Sequence, residues 1–185
     1  MRRNVLAAIP GLSGSLWLRL PSRVRLLTLD LTSGDARVEG LSLDSLTSRT
    51  TSGDVDIRNV EAGEVDISAA SGDLDAMDIL CRSVSVRAAS GDVSLEGRAV
   101  YGKINTASGD VELRLRESPE SVRVTTASGD VELRVPESAG TLFRTVSGET
   151  CTSRPHSHGP GGEYIGRDAP IRVEGTTVSG DLSVD

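Results

Sequence analysis

The tripeptide Ser-Gly-Asp returns along almost the whole of this 185-residue chain, and its spacing restricts the fold more than any other feature. Copies start at Ser33, Ser52, Ser71, Ser90, Ser108 and Ser128. A variant with Glu in third place starts at Ser147, and another full copy at Ser179. Subtracting neighbours gives steps of 19, 19, 19, 18, 20, 19 and 32 residues. A near-constant period of this length marks one supersecondary unit stacked on itself, not a globule folded around one centre.

Each unit reads as strands. Counting back from the Ser in steps of two gives apolar or small residues: Val65, Ile67, Ala69 before Ser71, and Val84, Val86, Ala88 before Ser90. Polar residues alternate with them, such as Asp66, Ser68, Arg87 and Arg123. A second set follows the Asp: Val55 and Ile57, Val93 and Leu95, Val111 and Leu113, Val131 and Leu133. A period of two is the pattern of a strand with one buried face. A weaker third set (Leu41 and Leu43, Val60 and Ala62, Ile79 and Cys81) leaves two or three strands per coil open, with Glu117–Glu120 reading as loop. The expected fold is all-β: a single-stranded parallel β-solenoid (β-helix) of about eight coils of ~19 residues, right-handed by the crossover preference. Stacked ~4.8 Å apart, the coils would form a body on the order of 35–40 Å long.

The corner itself follows from turn chemistry. Gly takes positive φ without a Cβ clash, and Asp accepts nearby backbone N–H groups in an Asx-turn. Ser falls in the inward phase, its hydroxyl free to bond backbone. The structural corner residues are therefore Ser52, Gly53 and Asp54, Ser71, Gly72 and Asp73, Ser90, Gly91 and Asp92, Ser108, Gly109 and Asp110, and Ser128, Gly129 and Asp130.

The repeat organises the chain into two parts. Residues 1–26 lack the tripeptide, but Leu16, Leu18 and Leu20 alternate with Trp17 and Arg19 like an N-terminal cap strand. Residues 27–185 form the solenoid domain, with a loop insertion at 151–169, rich in Pro, Gly, Ser and His, that accounts for the step of 32.

Composition excludes several classes. Hydrophobic residues at 37% and aromatics at 2% suit a thin core of small aliphatic side chains. The net charge is 20 − 27 = −7, and five Arg with no acid within residues 1–29 leave 15 − 27 = −12 for the rest. An acidic body argues against nucleic acid, whose phosphates need clustered Lys and Arg. The longest uncharged run, Asn4 to Leu18, is broken by Pro10-Gly11 and falls short of a transmembrane segment. Arg2-Arg3 before Val5–Ile9 has the start of a signal peptide but no cleavage pattern, so a cytoplasmic location is favoured over the cell envelope.

Pattern also limits the chemistry. Cys81 and Cys151 make neither a disulfide framework nor a zinc site, and His156 and His158 sit in the Pro/Gly-rich insertion without zinc spacing. The column Asp54, Asp73, Asp92, Asp110, Asp130 is a candidate for calcium, but one carboxylate per coil falls short of the 6–8 oxygens calcium takes. A polysaccharide-cleaving enzyme would use face carboxylates such as Asp56, Asp75, Glu112 and Glu132, yet each has near-copies above and below, and catalysis needs a singular constellation. No cofactor is expected.

The iterated Thr-x-Ser-Gly-Asp-Val-x-Leu pattern, clearest at Thr106–Leu113 and Thr126–Leu133, resembles a large bacterial family of uncharacterised β-strand repeat proteins often labelled adhesins. Ile171-Arg172-Val173 leading to Thr177–Asp181 looks like that family's closing coil, and the resemblance covers residues 27–185. It implies a parallel β-solenoid and little biochemistry. The functional expectation is a non-catalytic rigid scaffold or adhesin-like protein-interaction module with a protein or cell-envelope partner. The alternative is a structural protein that self-assembles through its coil ends into filaments, a homo-oligomer; an enzyme comes third.

Overall fold

The computed structural model describes residues 4–9, 16–17, 24–136, 138–152, 156–159, 162–165 and 171–185. These residues form strands joined by turns, with no helix among them. The first coil contributes β1 (Asn4–Ile9) and β2 (Leu16–Trp17), the second β3 (Leu26–Ser33) and β4 (Ala36–Glu39). β5 (Ser42–Ser52) leads to the next corner, and three long strands then run from one Ser-Gly-Asp corner to the next: β6 (Val55–Ser71), β7 (Leu74–Ser90) and β8 (Val93–Ser108). Then come β9 (Val111–Leu115), β10 (Ser121–Ser128), β11 (Val131–Arg134), β12 (Gly140–Ser147) and β13 (Thr150–Thr152). A hairpin of β14 (His156–Gly159) and β15 (Gly162–Ile165) precedes β16 (Ile171–Ser179) and β17 (Leu182–Val184).

Coil upon coil, the strands pair in parallel, Ser33 on Ser52, Ser52 on Ser71, Ser71 on Ser90, Ser90 on Ser108 and Ser108 on Ser128. The protein is thus a parallel β-solenoid, with about six turns at the regular ~19-residue spacing. The count differs slightly from the expected eight or so, and the last two coils stack out of chain order. β10 pairs on one side with β8 and on the other with β16, and β16 pairs in turn with β12. The last coil in sequence therefore lies between the coil of residues 121–134 and that of residues 140–152. β12 and β13 occupy the end of the described stack, where β15 lies antiparallel along Thr141–Phe143.

The core follows the period of two. Val55, Ile57, Val65, Ile67, Val86, Ile104, Val124, Leu133 and Leu182 are buried, while Asp56, Asp66, Arg87 and Arg123 between them reach solvent. The third set is a true side in the middle coils, where Leu43 pairs with Ala62, Val60 with Ile79 and Ala62 with Cys81, all buried. β8 continues this side, with Ala99 on Cys81, but one coil further on residues 116–120 carry no strand. A second corner separates these sides at Gly40 (φ 67°), Asn59 (φ 49°) and Asp78 (φ 54°), residue types that tolerate the left-handed region. The 18-residue step is absorbed here, by a register shift between Ala76 and Ile79 against β8.

Leu16 and Trp17 pair with Ala36 and Arg37, and β1 pairs with β3 from Asn4–Leu26 to Ile9–Leu31. Leu18, Arg19 and Leu20 of the proposed cap lie outside the described residues. Of the insertion at 151–169, Cys151 and Thr152 belong to β13, and residues 156–159 and 162–165 form an antiparallel hairpin rather than plain loop.

Candidate interaction surfaces

The Ser-Gly-Asp corners stack into one column, but two of their groups act differently from the sequence expectation. Each Asp Oδ1 accepts the backbone N–H of the equivalent residue one coil on, not a local one. Asp35 accepts from Asp54 (3.1 Å), Asp54 from Asp73 (2.9 Å), Asp73 from Asp92 (2.9 Å), Asp92 from Asp110 (2.9 Å) and Asp110 from Asp130 (2.8 Å). The ladder then passes to Asp181 (2.7 Å from Asp130) and ends at Glu149, whose N–H donates to Asp181 Oδ1 at 2.8 Å. The corner Gly, at φ 113° to 144°, turns this N–H along the stack, out of reach of its own carboxylate.

The serines are the second correction. All eight corner Ser are exposed, because alternation breaks one residue earlier: Ala69 is buried, but Ala70 and Ser71 both face out where the strand starts to bend. Their carbonyls do the structural work. Gly53 N–H donates to Ser71 O at 3.2 Å and Gly109 N–H to Ser128 O at 3.0 Å.

Glycine is required at the corner on two counts. Besides its φ, a Cβ on Gly91 would overlap the carbonyl of Gly72, and one on Gly180 the carbonyl of Gly129. The column is therefore backbone packed on backbone.

The face carboxylates are held in ion pairs within and between coils. Asp56 lies 2.7 Å from Arg58 and 3.7 Å from Arg37, Asp75 is 3.8 Å from Arg58, Glu112 pairs with Arg114, and Glu132 is 2.5 Å from Arg134. The hydrogen bond that Arg58 donates to the Asp56 carboxylate is the main cause that raises the Arg58 pKa. Tyr101 donates to the Glu120 carboxylate, which raises the pKa of its phenol. Burial pushes the Cys81 thiol up to about 11, while Cys151 is exposed. His156 and His158 lie on β14. Among the described residues, no group of three or more His, Cys, Asp and Glu is placed to hold a metal.

Two shallow grooves run along the stack. One, of about 640 Å³, is floored by Thr32, Thr51, Ala70, Ala89 and Ala107, with Asp30, Arg49 and Arg87 at its side. Its floor is the pre-Ser position, a column of small exposed residues that continues to Val178 and Val146. The other, of about 480 Å³, is acidic, lined by Asp92, Asp110, Asp130, Asp181, Glu112 and Glu132. Sequence reasoning passed over the first groove because its floor residues are small, carry no chemistry of their own and sit between the last buried residue of the strand and the corner Ser.

Comparison with known proteins gives a class: an uncharacterised family of β-repeat domains. The chain matches the Toastrack DUF4097 family over residues 10–185 and belongs to it. No curated protein and no solved structure matches. No helix among the described residues is long and apolar enough to cross a membrane.

Proposed function

We propose that this chain is a rigid, non-catalytic scaffold whose small-residue groove receives a protein partner. The observation that carries the reading is how the polar groups are used. The Asp column is committed to backbone N–H groups, and the face carboxylates to arginines repeated along the stack. The wide groove, by contrast, offers shape with little chemistry: Thr51, Ala70, Ala89 and Ala107 in a row. A repeated, flat surface of this kind suits recognition over several coils. Adhesion is the finer form of the reading, with the partner on a cell envelope; a cytoplasmic partner would use the same face.

A photo-crosslinking residue at position 89 tests it against the same probe at position 94, which lines the acidic groove. Adducts of one defined mass from position 89 and none from position 94, in cytosol or envelope fractions, support the groove. Equal labelling from both, or none from 89, overturns it.

End-to-end assembly into filaments is favoured by one feature: β1 and β13 each pair on one side alone among the described residues. The antiparallel β15 across β12 works against it. Sedimentation across a hundred-fold concentration range separates the two, since a module keeps one mass and a filament grows.

A further inference from the structure

The two coils flanking β16–β17 are in register with each other through it. Arg123 and Leu142 both pair with Glu174, Thr125 and Arg144 with Thr176, and Ser128 and Ser147 with Ser179. Glu132 and Cys151 both pair with Ser183. The flanking residues are 19 apart in each case (142 − 123, 144 − 125, 147 − 128, 151 − 132), the step that joins successive coils in the regular stack. If the intervening coil left, the two faces would meet without any slip of register.

The corner chemistry would also close. Glu149 N–H, now on Asp181 Oδ1, would find Asp130 Oδ1, the acceptor that Asp181 N–H uses here. The Gly column repeats the point: a Cβ on Gly148 would meet the Gly180 carbonyl, and one on Gly180 the Gly129 carbonyl. The link from Arg134 to Gly140 crosses two coil spacings, about 10 Å, and six residue steps of ~3.3 Å span either two spacings or one.

We propose that residues 171–185 form an insertable coil, so that the protein interconverts between the inserted state and a released one. In the released state the coil of residues 140–152 closes by one spacing, ~4.8 Å, directly onto the coil of residues 121–134. The inserted state dominates, because release exposes Val173, Leu182 and Val184, all fully buried here. Release frees a strand-turn-strand segment while keeping the solenoid continuous.

Cys151 makes the test direct. Ser183→Cys places a thiol one coil from Cys151 and traps the inserted state. Glu132→Cys places one two coils away, about 10 Å, beyond the ~7 Å Cα separation a disulfide spans, so it closes only in the released state. Cys81 is buried and stays out of the exchange. Under mild oxidation of the full chain, Ser183→Cys should crosslink about ten-fold faster or more, while Glu132→Cys still closes within one chain below the unfolding transition. Hydrogen exchange on the unmodified chain gives a second measure: residues 171–185 should exchange as a block ahead of β7, although both lie inside the stack. The proposal is overturned if Glu132→Cys closes only where the whole chain unfolds, or only between chains. It is equally overturned if residues 171–185 are as protected as β7.

Discussion

The backbone N–H of Asp181 donates to Oδ1 of Asp130 at 2.7 Å across 51 residues of chain. That bond carries the carboxylate ladder from the regular stack into a coil inserted out of order. The ion pair of Arg123 with Glu174, 2.6 Å apart and also 51 residues distant, does the same on the strand face. If the ladder contributes, Asp130→Ala should cost about 1–2 kcal/mol in urea unfolding, since the donor is exposed and water replaces part of the bond. Asp130→Asn, which keeps an acceptor oxygen, should recover most of it. Equal losses in both variants would mean that charge, not the ladder bond, matters.

Glycine substitutions should separate conformation from space. Gly40 has φ 67° and open room for a Cβ, so Gly40→Ala should cost only about 1 kcal/mol for the left-handed conformation. Gly91 has φ 113° and its Cβ would overlap backbone, so Gly91→Ala should cost about 3 kcal/mol or more. Denaturant midpoints of the two variants side by side check the order.

Residues 123 and 124 should differ sharply although they are neighbours. Val124 is fully buried, and Val124→Asp would place an unpaired charge in a core one side chain thick, at a cost of several kcal/mol (about 3 or more). The Arg123 side chain is 62% exposed, so Arg123→Ser should cost about 1 kcal/mol or less even with its ion pair. A Val124→Asp variant that melts with the parent would reverse the assignment of faces.

Much of this architecture was legible in the sequence because a period of two and a period near 19 report different things. The first marks which side chains are buried, the second which residues stack. Coil order was not legible, since every coil carries the same corner and any two can pair. The distinguishing signs are subtle. Glu149 stands where other corners have Asp, at the end of the described ladder, where no further N–H asks for a short carboxylate. Thr150 and Thr152 occupy the core phase of that half-covered coil, opposite Leu182 and Val184 of the inserted one. The second corner was hidden because Gly40, Asn59 and Asp78 share a backbone conformation but no side chain. The outward Ser was hidden because alternation fails at a bend, where the pattern is least informative.

The two thiols should respond oppositely to alkylation. Cys151 is exposed and should react at pH 8, whereas Cys81 is buried and its thiol is pushed up to about 11 from 9.0. With the folded pKa raised, the associated stability is complete below pH 9 and fades as pH rises towards 11. Mass spectrometry should find one adduct on the native chain and two after unfolding. Two adducts at native pH would show that the third side opens locally.

The Asp column decides between corner chemistry and metal binding. Calcium takes 6–8 oxygen ligands, while here each coil supplies one carboxylate whose Oδ1 already accepts an N–H from the next. To bind there, the cation would have to break ladder bonds from Asp54 to Asp130 in several coils at once. A ligand that binds the folded state alone raises the melting temperature in proportion to the logarithm of its concentration. A melt in millimolar calcium should therefore match one in chelator within about 1 °C, given how little binding energy a few incomplete ligands supply. A rise of several degrees that chelator reverses would make Asp92, Asp110, Asp130 and Asp181, which line the acidic groove, the first residues to replace with Asn.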